Sequence, residues 1–69
     1  MNAEKFRALR FYLGMTQQEF ANLIGVSSAT VGRVETGSLD ITPRVKAKLA
    51  HINIDDGFID FYERMRSIS

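Results

Sequence analysis

The sequence predicts an all-α fold, and three observations carry that prediction. Residues 16–35, TQQEFANLIGVSSATVGRVE, hold two short apolar repeats at helical spacing, each preceded by a hydroxyl side chain suited to capping. Glycines at 14, 25 and 37 each follow such a repeat, at the position where a helix ends with φ > 0. Thr42-Pro43 places an N-cap ahead of a proline at the first helical position, where its missing N–H costs nothing.

Helix 1 is expected over 3–13, with Phe6, Leu9 and Leu13 on one face and Gly14 as its stop. Helix 2 follows Thr16, whose hydroxyl can accept a first-turn N–H. Glu19, three residues on, completes a T-x-x-E capping box. Phe20, Ala21 and Ile24 then repeat, Gly25 stops the helix, and Val26 plugs the gap behind it. Ser27 caps helix 3, which ends near Thr36 and has Val31 and Val34 as its apolar edge. Ala21 is small, and a large side chain there would hold helices 2 and 3 apart. A compact, angled pair of this kind is the geometry that pushes one helix into the DNA major groove.

Residues 37–41 read as a short loop in which Ile41 packs inward, with Leu39 a second candidate. Helix 4 then runs from the Thr42 cap to about His51 on Val45 and Leu49. Asp55 or Asp56 can cap a fifth helix whose Phe58, Phe61, Tyr62 and Met65 share an apolar stripe. Gly57 would weaken its first turn by up to about 1 kcal/mol relative to alanine.

Sixty-nine residues suit one domain, 1–69, near the lower limit of what a single core holds folded. With 45% hydrophobic and 25% charged residues, the composition is that of a globular chain. Cysteine is absent, which excludes disulfides and thiolate metal sites and fits a reducing cytoplasm, so stability must come from helix packing or association. No run approaches the roughly 20 apolar residues of a membrane span, and no signal peptide is visible. Net charge is only +1, but residues 1–53 carry seven Lys/Arg against four Asp/Glu, and residues 54–69 two against four. That asymmetry suits a DNA-facing body with a tail turned away from phosphate.

Residues 3–51 resemble the Cro/repressor-type helix-turn-helix family, found among phage repressors, bacterial regulators and antitoxins. The resemblance rests on Leu9–Arg10, Gly14, Thr16-Gln17, Phe20–Ala21, Gly25–Val26, Ser27, Val31, Val34–Glu35 and Gly37, in order and at the family's spacing. It implies a compact five-helix phage-repressor-like domain, with helices 2 and 3 as the unit that reads double-stranded DNA.

Carried over position by position, the resemblance assigns base contacts to the exposed face of helix 3: Ser27, Ser28, Ala29 and Arg33. An arginine fork can bond O6 and N7 of a guanine, worth about 1–3 kcal/mol of discrimination. Ser28 is short enough for a base edge or a phosphate, and Ala29 offers a methyl for a thymine. Phosphate contacts fall to Gln17 at the N-terminus of helix 2, where dipole and free N–H groups favour an anion. Thr30, Arg44 and Lys46 join it, while Lys48 reads as solvated. The resemblance also implies an Arg10–Glu35 ion pair tying helix 1 to the end of helix 3, with Arg10 a further phosphate candidate. Gly32, inside helix 3, costs about 1 kcal/mol against alanine and points to close approach by another helix or by DNA.

Nothing here supports an enzyme. His51 is the single histidine, no carboxylate pair has a catalytic context, and neither a glycine-rich phosphate loop nor a metal or cofactor site is readable. The expected function is a sequence-specific transcriptional regulator, a repressor that blocks polymerase, since the chain leaves no room for an activation or sensing domain. A homodimer on a palindromic operator is expected, with residues 54–69 closing the core, forming the dimer contact through Phe58, Phe61, Tyr62 and Met65, or both. The alternative is an antirepressor- or antitoxin-like module that uses the same fold to bind a regulatory protein.

Overall fold

A computed structural model of the chain describes residues 1–52 and 54–68. Five helices follow one another: α1 Ala3–Tyr12, α2 Gln17–Ile24, α3 Ser28–Glu35, α4 Pro43–Ala50 and α5 Asp56–Ile68, with no strand among the described residues. Each start has a side-chain cap. Asn2, Thr16, Ser27 and Thr42 accept a backbone N–H three residues on, and Asp55 does the same for Phe58 at 3.0 Å. At α2 the box closes in both directions, because the Thr16 N–H also donates to Glu19 Oε1 at 2.9 Å. That bond, with the one from the Thr16 hydroxyl side, holds the Glu19 carboxyl below its usual range.

The turn between α2 and α3 is only Gly25–Val26–Ser27. Gly25 adopts φ +75°, and the Val26 N–H returns to the Ala21 carbonyl at 2.9 Å, closing the six-residue ring that halts the helix. Half-buried Val26 then tucks against the core.

The core is one cluster. Phe6, Ala8 and Leu9 of α1 meet Phe20, Ala21 and Ile24 of α2, Val31 and Val34 of α3, Val45 and Leu49 of α4, and Phe58 and Tyr62 of α5. α2 packs on α3, α1 on both α3 and α5, and α4 on α2. Phe6 and Phe20 pack edge to face, centroids 5.1 Å apart. Ala21 is fully buried at the place where its small size lets α2 and α3 close together.

One expectation changes. Leu39 stays 40% exposed, because the Ser38 and Leu39 N–H groups both turn back to the Arg33 carbonyl (2.9 and 3.2 Å) and swing the side chain outward; half-buried Ile41 packs inward. Phe58 and Tyr62 of the α5 stripe, left open between core closure and a dimer contact, are buried in the protomer at 1% and 7% exposure, Phe58 against Tyr12 of α1. Phe61 and Met65 are half-buried against the same core. The described helices include none long and apolar enough to cross a membrane.

Candidate nucleic-acid interface

Helix α3 stands with one side in the core and the other in solvent. Val31 and Val34 anchor it, which turns Ala29 and Arg33, four residues apart, to the outside. Ser28 and Thr30 are half-buried beside them. The Arg33 side chain has no hydrogen bond or ion pair among the described residues, so the competing arrangement, an arginine lying along its helix on a carboxylate, is absent.

Ser27 and Thr30 are less free. The Ser27 hydroxyl accepts the Thr30 N–H at 3.1 Å, and the two hydroxyls bond each other at 2.9 Å. This linked pair fixes the first turn of α3 and leaves Ser28 and Ala29 outside its bonds. With side chains this small, Arg33 is the one long group on the outward face.

Gln17 is exposed in the first turn of α2, and its amide donates to Glu35 Oε1 at 3.2 Å. Glu35 is also the partner of Arg10: Nε to Oε2 at 2.6 Å and a terminal nitrogen to Oε1 at 3.1 Å. The other terminal nitrogen of Arg10 donates to the Met15 carbonyl at 3.0 Å. Arg10 is thus held as a scaffold strut, with Nε and both terminal nitrogens each making a hydrogen bond. The ion pair joins α1 to α3, and the Gln17 bond adds α2, so one carboxylate ties three helices together.

Thr42 caps α4 and Pro43 starts it, which presents Arg44 in the first turn. Arg44, Lys46 and Lys48 are exposed, without ion pairs among the described residues. Gln17 and Arg44 therefore open two different helices, α2 and α4, both in contact with the core that carries α3.

The Gln17–Glu35 bond is not legible in the sequence, because no periodicity relates positions 18 residues apart. The close approach expected at Gly32 is not found among the described residues: a Cβ there would meet only the Gln17 amide, at 3.7 Å, an ordinary contact. Gly57 has a steric reason. A Cβ there would fall 2.6 Å from the Tyr12 hydroxyl, which donates to Asp55 at 3.0 Å over the start of α5. The glycine in a first helical turn was the available signal of that close approach.

A family model described as "Helix-turn-helix domain" matches residues 3–52, which spans α1 to α4 and the whole of the surface above. No curated protein and no solved structure gave a match.

Proposed function

The chain belongs to the helix-turn-helix domain family, and from that premise we propose that it is a sequence-specific double-stranded DNA-binding regulator, a repressor acting as a homodimer on a palindromic operator. The observation that carries this reading is Arg33, exposed on the outward face of α3 with no ion pair among the described residues. In the major groove its planar fork is matched to a guanine edge. Ser28 and Ala29 bring the start of the same helix near neighbouring bases, while Gln17 and Arg44 hold the phosphates on either side. One protomer of this size offers little contact surface, and two copies reading half-sites one helical turn apart would supply the rest.

The test is a titration into random duplex at two salt concentrations, followed by selection of bound sequences from a random pool. Arg44→Ala should flatten the salt dependence by about one phosphate contact. Arg33→Ala should relax sequence preference by about 1–3 kcal/mol at one base pair. A symmetric selected site supports the dimer.

A second reading, a module that binds a regulatory protein, draws on α5, where Ile59 is 54% exposed. It predicts no salt-dependent duplex binding and no effect of either arginine variant.

A further inference from the structure

We propose that Arg7, braced on the ring of Phe11, is a phosphate contact that extends the DNA footprint beyond the helix-turn-helix onto the side of α1; the inference rests on the DNA-binding reading. Arg7 is exposed and has no ion pair among the described residues. Its guanidinium carbon lies 5.3 Å from the Phe11 ring centroid. Arg10, about one helical turn on, approaches the same ring at 4.5 Å. The two cations differ in one respect: Arg10 is paired with Glu35, and Arg7 has no counterion among the described residues.

Phe11 itself is 42% exposed, on a helix whose core contacts are made by Phe6, Ala8 and Leu9. A ring left open to solvent and flanked by guanidinium groups acts as a shelf. It holds a planar, weakly hydrated cation in place through its negative face. A fork held that way loses less conformational freedom when it engages an anion.

Position identifies the anion. Contacts run without a break from Gln17 to Glu35, to Arg10, to Phe11 and to Arg7. Gln17 opens α2, where a helix N-terminus favours one phosphate. Phosphates follow one another along a strand at about 3.4 Å of axial rise, so a backbone seated at Gln17 and running along this side would meet Arg7 within a few nucleotides. Arg7 and Phe11 line a groove with Thr36 and Gly37, where the chain leaves α3. Glu4 lines it too, but no ion pair joins it to Arg7, and Glu35 is committed to Arg10.

The experiment measures duplex affinity against salt for the wild-type chain, Arg7→Ala, Arg7→Lys and Arg64→Ala, the last removing the same charge from α5. Arg7→Ala should reduce the slope of log K against log salt by about 0.9. Arg7→Lys and Arg64→Ala should keep the wild-type slope. Arg7→Gln repeats the neutral arm should the alanine variant unfold. If Arg7→Ala keeps the wild-type slope while Arg44→Ala flattens it, this proposal falls and the DNA reading stands. Equal flattening by Arg7→Ala and Arg64→Ala would reveal a net-charge effect and also overturn it. A wild-type chain that shows no salt-dependent binding removes both.

Discussion

Arg10 and Glu35 meet edge to edge across 25 positions of sequence, with side chains 11% and 5% exposed and two hydrogen bonds between them. A pair this sheltered is sensitive to losing one member, since the survivor keeps its charge without its partner. Glu35→Ala should cost about 3–5 kcal/mol, a large share of what a domain this small holds. The double variant Arg10→Met/Glu35→Leu should recover most of that loss. Urea unfolding of the three proteins checks it; a single-variant cost under about 1 kcal/mol would mean the pair is effectively solvated.

The two helical glycines should respond oppositely to alanine. Gly32→Ala meets only the Gln17 amide at 3.7 Å, so helix propensity should dominate and add up to about 1 kcal/mol. Gly57→Ala places a Cβ 2.6 Å from the Tyr12 hydroxyl and should destabilise by about 1–3 kcal/mol. Adding Tyr12→Phe removes the obstructing oxygen and should return part of the loss. Thermal unfolding of the four proteins gives the signs, and a stabilising Gly57→Ala would contradict the packing at this junction.

Acid should loosen α5 through Asp55. Its carboxyl is held below the usual range by the Phe58 N–H and then by the Tyr12 hydroxyl. A depressed folded pKa gives stability that is present above the unfolded value of about 3.9 and is lost as pH falls through the folded one. Glu19 in its capping box acts in the same direction. Tyr12 is raised, first by its bond to Asp55, so its contribution is complete below about pH 10 and disappears as pH rises through the folded value. Asp55→Asn, which still caps, should make the decline in melting temperature below about pH 4 shallower. An unchanged acid limb would place the sensitivity elsewhere.

Neighbouring residues on α5 should separate folding from association. Phe58→Ala empties a fully buried site and should cost about 3–5 kcal/mol. Ile59→Ser, on the exposed side, should leave stability within about 0.5 kcal/mol. If the homodimer uses α5, the same change should shift sedimentation toward monomer at fixed concentration. A dimer unaffected by Ile59→Ser would use another surface.

Much of this architecture is written in local chemistry. Thr16 with Glu19, Ser27, Thr42-Pro43 and Gly25 each specify a helix end from neighbours within a few positions, and the observed helices begin and stop at them. Arg33 on the outward face follows from Val31 and Val34 facing inward. Relationships that depend on tertiary approach were less accessible. The amphipathic stripe of α5 could not say how far Phe58 and Tyr62 would sink into the core, because that depth depends on Tyr12 of α1 lying beside them. Leu39 pointed outward for a similar reason: paired bonds to the Arg33 carbonyl, rather than hydrophobicity, set its direction.

The most direct test of the account is an NMR titration of the isotope-labelled chain with the duplex recovered from sequence selection. Amide shifts should concentrate at Ser28–Arg33, with Gln17 and Arg44 moving alongside, while the outer face of α5 away from any dimer contact stays quiet. Shifts confined to α5, or an α3 that does not respond to saturating duplex, would contradict it.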